Sequence, residues 1–200
     1  MTSVFIFIHL SLLLPSRLKR RVRWDVPGTD LNAARPREPK QQTHQLYLDV
    51  LVNAALTRFT RLALPAMRAR GRGGIMNMAS LGAFTPGPWQ AAYFESKAYV
   101  LSLTAAIGAE CAGEGVRVCV VAFGPVDTGI HRKMDGAHSY YRRLLPTTSA
   151  DRMARLCWQS YRLGRRVVVP GILNSVLAWS ARAMPYELLL PLVGWLMRPR

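Results

Sequence analysis

Residues 75–123 read IMNMASLGAFTPGPWQAAYFESKAYVLSLTAAIGAECAGEGVRVCVVAF. The first six are a short apolar run placed directly after RARGRGG (68–74), a basic, glycine-ended segment of the kind that stops a helix. Such a run is best placed as a buried strand. Gly82, Pro86, Gly87 and Pro88 then rule out a regular element through the middle of the following loop. From about Gln90 to Cys111 the apolar residues Ala92, Tyr99, Val100, Leu103, Ala106 and Ile107 recur at helical spacing, and Gly113 and Gly115 end the segment. VRVCVVAF, closed by Gly124 and Pro125, is a second strand-type run. Strand, long helix, strand is a βαβ crossover, which implies parallel strands joined with right-handed sense. Both runs are nearly continuous in apolar residues, as strands covered on both faces must be, so the fold class is α/β.

Working outward, Leu48, Leu51, Val52, Ala55, Leu56, Phe59, Leu62 and Ala63 recur at three- and four-residue steps from Leu46 to Met67, predicting a helix with one wide apolar face. RRVVVPG at 165–171 is a candidate third parallel strand. The tail, ILNSVLAWSARAMPYELLLPLVGWLMRPR at 172–200, is apolar, carries Trp179, Trp195, Arg182, Arg198 and Arg200, and is expected to be broken into short helices at Pro185 and Pro191. No piece reaches the roughly 18 apolar residues of a membrane span, so the tail reads as surface-seeking or core-capping.

At the other end, VFIFIHLSLLLP (4–15) is apolar but too short to span, and its positive charges follow rather than precede it, unlike a secretory signal. A short anchor, a poor signal sequence and a buried strand remain open readings. Residues 16–45 hold three prolines, many charges and no sustained period, which reads as a disordered linker. The chain thus divides into an atypical start and linker (1–45), a partial α/β domain (46–171) and an apolar helical extension (172–200).

With 27 Lys and Arg against 11 Asp and Glu, the net charge of +16 would attract any polyanion. The basic residues are scattered over linkers and helix ends without the aromatic interleaving of a nucleic-acid module, so no nucleic-acid partner is expected. A membrane-surface role is the main functional rival to small-molecule chemistry. Cys111, Cys119 and Cys157 are too widely spaced for a disulfide framework or a metal-ligand pattern, and the four histidines are equally dispersed, so no metal is expected.

Ligands of parallel α/β sheets collect beyond the carboxyl ends of the strands. Ser80 ends one strand there, Gly124 to Thr128 follow the other, and the loop leads to the helix bearing Tyr93 and Lys97. Tyr93 and Lys97 are i and i+4 and share a helix face. A nearby ammonium favours the phenolate, so Lys97 is expected to lower the pKa of Tyr93 and fit it for proton exchange with a hydroxyl or carbonyl. Ser80 would hold the same oxygen. Taken alone, a Tyr and a Lys one turn apart also arise by chance in any helix, with Tyr as core and Lys as solvated tip.

NMAS at 77–80, YFESK at 93–97 and FGPVDT at 123–128, with the thirteen-residue interval from Ser80 to Tyr93, resemble the second half of a short-chain dehydrogenase/reductase. Gly87, Pro88, Ser96 and the helix segment LTRFTRLALPAM at 56–67 fit as well. The resemblance implies an incomplete Rossmann-type parallel sheet with flanking helices, NAD or NADP as cofactor, and hydride transfer between it and a carbonyl or alcohol. By resemblance Ser80, Tyr93 and Lys97 are catalytic, Tyr93 and Lys97 also meet the cofactor, and Gly124, Val126 and Thr128 lie against its nicotinamide. Asn77 matches a position whose role is structural or catalytic. A homodimer built through the 92–111 helix is a further implication, as is a small, hydrophobic carbonyl or alcohol substrate.

The chain also departs from that pattern. Residues 1–45 contain no GxxxGxG phosphate loop, Gly28 being their sole glycine, and the N-A-G turn is missing. Without a helix N-terminus and close backbone approach at the pyrophosphate, much dinucleotide affinity is lost. The helical asparagine of the family falls at Val52, with Asn53 next door and turned by about 100°. Phe123 stands where a proline is usual. Two functional readings follow: a cytoplasmic oxidoreductase of this type, or a truncated, inactive relative with a membrane-surface or partner-binding role.

Overall fold

The structure is a computed structural model that describes residues 5–7, 40–127 and 147–198. The linker reading of 16–39, most of the apolar start and Thr128 lie outside the described residues. The chain order is β1 (Phe5–Phe7), α1 (Lys40–Ala69), β2 (Gly73–Ser80), a 3-10 turn (Leu81–Phe84), α2 (Ala91–Glu110), β3 (Val116–Phe123), β4 (Val126–Asp127), β5 (Thr148–Ser149), α3 (Ala150–Arg162), β6 (Val167–Val168), α4 (Ile172–Ala183) and α5 (Tyr186–Met197). The main sheet has the order β1-β2-β3-β6 and is wholly parallel. β4 and β5 form a separate parallel pair.

The β2–α2–β3 crossover is the expected one. Gly73 pairs with Val116 and the register runs unbroken to Ser80 opposite Phe123. Alternate residues of β3 serve opposite faces. Val118, Val120 and Ala122 point to α1 and α2, where they meet Leu56, Ile107, Val100 and Leu101. Cys119 and Val121 point to α3, whose Met153, Cys157 and Tyr161 recur every fourth residue and cover that face. A sheet covered by helices on both sides results. Gly115 makes the tight entry into β3: its φ is +73°, and a Cβ there would collide with the carbonyl of Gly71.

Four features differ from the sequence reading. The helix expected from Leu46 begins at Lys40 and ends at Ala69, with Pro65 inside its last turns. Its inward stripe is also rotated. Asp49, Leu56, Thr60, Leu64 and Met67 are buried, whereas Leu51, Phe59 and Leu62 are exposed, Leu62 by 68%. The face toward the sheet and α2 is therefore partly polar and the outer face carries apolar residues beside its arginines, a rotation that a single-face reading of the period could not detect. On α2, Phe94, Ser96, Leu101 and Thr104 join Val100 and Ile107 in the interior, while Tyr99 is exposed. Finally, Pro191 lies within α5 and does not break it, although Pro185 does serve as its N-cap.

At the N-terminus, Phe5–Phe7 adds a short parallel strand beside Gly74–Met76, the strand alternative among the three open readings. Among the described residues no helix is long and apolar enough to cross a membrane.

Candidate active site

Ser80 stands where β2 runs into the 3-10 turn, and its Oγ accepts a hydrogen bond from the Gly82 amide at 3.3 Å. That bond fixes the side chain at the carboxyl edge of the sheet. The loop then returns toward α2 through Trp89, which holds a left-handed φ of +70° and donates from its indole nitrogen to the Gly194 carbonyl of α5 at 3.4 Å. A non-glycine residue in that region is strained, so the contact with α5 helps to hold the turn that starts α2.

α2 begins at Ala91, which puts Tyr93 in its first turn and Lys97 in its second. The Ser80 hydroxyl is close enough to the Tyr93 phenol to favour its charged form. The Lys97 ammonium lies over the Tyr93 ring, with Nζ 5.6 Å from the centroid, a cation–π arrangement. Three of the expected site residues are thereby brought together. Tyr93 also meets Phe94 edge-on at 5.9 Å and packs on a buried cluster of Phe94, Leu189, Val193 and Met197. The last three belong to α5, so the tail forms one wall of the site.

That wall changes the electrostatics expected from the sequence. Burial pushes the Tyr93 phenol above its ordinary value; the Ser80 hydrogen bond acts against this and the negative charge of Asp49 adds to it. The expectation that Lys97 would hold the phenol low is not met. Lys97 is itself half-buried: loss of solvent lowers its pKa, and Asp49 opposes that fall. Desolvation disfavours both charged forms, so it raises a phenol and lowers an amine. In this arrangement Tyr93 keeps its proton at neutral pH.

Gly124 lies one residue beyond Phe123, the partner of Ser80, and so shares the site's edge of the sheet. A Cβ on Gly124 would press on the Asn174 amide at 2.9 Å, so this glycine permits the close packing of α4. The Val126 side chain is buried in the opposite core with Cys119, Val121 and Met153, which leaves its backbone alone available to a ligand. Asn77 is buried and donates to Thr104 Oγ1 at 3.0 Å, a structural tie between β2 and α2. Asn53 does not take over the place held by Val52: its Oδ1 accepts from Ser96 Oγ at 3.0 Å. The polar group of α1 that acts on Tyr93 and Lys97 is Asp49, which sequence reasoning passed over. Its signal was a carboxylate one turn before Asn53, on the helix face that also carries Leu56 and Thr60.

Comparison with known proteins points the same way. The model of the short chain dehydrogenase family matches residues 33–138. A very-long-chain 3-oxoacyl-CoA reductase of Phaeosphaeria nodorum is 40% identical over 84 residues, covering 41% of this chain and 24% of that protein. An inactive 2-(S)-hydroxypropyl-CoM dehydrogenase 2 of Xanthobacter autotrophicus is 36% identical over 107 residues, covering 53% of this chain and 42% of the other. This chain therefore spans less than half the length of either relative. Among solved structures, a short chain dehydrogenase from Burkholderia cenocepacia in complex with NADP superposes with a TM-score of 0.58 at 23% identity, over 77% of this chain and 63% of that one, a likeness of fold.

Proposed function

The chain belongs to the short-chain dehydrogenase/reductase family, and from that premise we propose that it is an oxidoreductase that reduces the carbonyl of a small, hydrophobic molecule, with NAD or NADP as cofactor. The observation that carries the reading is the Lys97 ammonium over the Tyr93 ring, 5.6 Å from its centroid, with the Ser80 hydroxyl beside the phenol. When bound, NAD or NADP supplies the hydride. Tyr93 and Lys97 at the carboxyl edge of the sheet have the donors that suit a ribose diol, and the backbone after Gly124 lies at the same edge. The residues present therefore fit the nicotinamide end of the cofactor, whereas no phosphate loop occurs in residues 1–45.

The residue chemistry follows from the protonation state. Ser80 and Tyr93 place two hydroxyls side by side, and both would hold and polarise a carbonyl oxygen seated against them. Tyr93 would give its phenol proton to that oxygen, and the adjacent Lys97 charge would stabilise the resulting phenolate until water reprotonates it. A phenol that stays protonated at neutral pH suits this reductive direction. The apolar wall of Leu189, Val193 and Met197 supports a hydrophobic substrate. The outer apolar stripe of α1, with Val50, Leu51, Phe59 and Leu62 beside Tyr99 of α2, supports pairing with a second copy.

A second reading is a non-catalytic, membrane-surface or partner-binding protein of the cytoplasm, favoured by the apolar side chains that α4 and α5 expose, among them Ile172, Val176, Trp179, Leu188 and Trp195. Dinucleotide titration by calorimetry separates the two. The oxidoreductase binds cofactor, and Tyr93→Phe keeps fold and binding while turnover falls about a hundred- to ten-thousand-fold. Absence of heat at millimolar NAD and NADP overturns it and favours the second reading.

A further inference from the structure

Two hydrogen bonds fix how α1 lies against α2. Ser96 Oγ donates to Asn53 Oδ1 at 3.0 Å, and the hydroxyls of Thr57 and Tyr99 share a bond of 2.7 Å. Four residues along α1 match three along α2 in the same direction, so the helices run side by side. One turn before Asn53 is Asp49, and three residues before Ser96 is Tyr93. This ladder places Asp49 beside the turn of α2 that carries Tyr93 and Lys97. Asp49 is only 8% exposed. A carboxylate so enclosed is tolerated where an opposite charge compensates it, and among the described residues the Lys97 ammonium, held 5.6 Å from the Tyr93 centroid, is a cation whose charge balance Asp49 affects.

We infer that Asp49 is a positioning residue of this site, its carboxylate keeping the Lys97 amine protonated and seated against the Tyr93 ring. Among the described residues, the other groups facing the pair bring no charge to it. Ser80 acts on Tyr93 from β2 and is uncharged. Leu189, Val193 and Met197 face Tyr93 from α5 and remove solvent without supplying charge. Glu95, between Tyr93 and Lys97 in sequence, is exposed, turned about 200° from Tyr93 around the helix. Burial drives Lys97 toward its neutral form, and the charge that acts against this comes from Asp49. Asp49 has a cost at the same time, because it also disfavours the Tyr93 phenolate. Its presence thus trades basicity of the tyrosine for a permanent charge on the lysine. This deepens the oxidoreductase reading and takes its catalytic meaning from it, but the charge relation itself exists in the protein without dinucleotide.

The test is made in that state. The four lysines, Lys19, Lys40, Lys97 and Lys133, give few signals after reductive ¹³C-methylation, and Lys97→Arg assigns the one of interest. In Asp49→Asn the Lys97 titration midpoint is expected to fall by about one pH unit or more, while Asp49→Glu restores it. Tyrosinate absorbance, taken as a difference against Tyr93→Phe, is expected to move down in Asp49→Asn as well, a common direction that a packing defect would not impose on an acid and an amine together. An unchanged Lys97 midpoint in folded Asp49→Asn overturns the inference. If that variant does not fold, the reciprocal measurement decides: the Asp49 carboxyl titrates higher in Lys97→Met than in wild type, and equality of the two overturns the inference. Because no turnover is read, a failure here leaves the oxidoreductase reading standing, and a failure of cofactor binding leaves this one standing.

Discussion

The β2–α2–β3 crossover and the α4–α5 tail are similarly apolar in sequence, yet they treat their side chains in opposite ways. In the crossover, Val100, Val120, Val121 and Ala122 are fully enclosed, and the polar Asn77 and Thr104 find each other. In the tail, α5 buries Leu189, Val193 and Met197 along one stripe and leaves Leu188, Leu190, Leu192 and Trp195 outside; Ile172 of α4 is 87% exposed. Helix α2, packed by the sheet on one side and by α1 on another, keeps only a narrow exposed stripe through Glu95, Tyr99, Ser102 and Ala106. Helix α5, resting on a few aromatic residues, leaves most of its side chains exposed. Hydrophobic content therefore measures core in the first region and interface in the second.

The strongest way to break that contrast is to cut the same chemistry from both regions. Leu56→Ala empties the cluster under the crossover and is expected to cost about 2–5 kcal/mol in urea unfolding. Were it silent, the crossover would not be the core.

A sharper, smaller test uses Cys119 of β3. Burial, with Cys157 adding to it, pushes this thiol up to about 12 from an ordinary value of 9. The group's folded pKa lies above its unfolded one, so folding stability is intact below pH 9 and declines as pH rises from 9 toward 12. By pH 10 the loss relative to neutral pH is about 1 kcal/mol. Chemical denaturation of wild type and Cys119→Ala at pH 7 and pH 10 checks it, the variant being expected to show the smaller decline.

The smallest effect belongs to the tail. Leu192→Ser is expected to change stability by no more than about 0.5 kcal/mol. Paired with Trp195→Ser, it would weaken partition onto acidic vesicles if the outer face of α5 meets lipid, a shift read by sedimentation. A stability loss like that of Leu56→Ala would show instead that this face is covered.

Much of this could be read along the chain. Both strands of the crossover, its helix, the third strand at Val167–Val168 and the trio Ser80, Tyr93 and Lys97 follow from continuous apolar runs, glycine and proline boundaries, and a spacing of four on one helix. These are local relations, and local relations survive any packing that keeps the helix and the strands. Three things did not follow. The inward face of α1 was misread because Leu51, Phe59 and Leu62 have the period of a core stripe but point away from the sheet. Asn53, which could serve the site only through a shift of register, is instead engaged by Ser96. The lysine was expected to dominate the tyrosine, whereas residues about a hundred positions away bury it.

The sequence by itself determined a parallel α/β unit and which hydroxyl, phenol and amine share its carboxyl edge, since periodicity and strand ends are encoded residue by residue. Only the tertiary structure decided the protonation state of that group. A pKa depends on the solvent removed and the charges brought near, and here both come from afar: the apolar wall from α5, at the far end of the chain, and the carboxylate from Asp49 of α1.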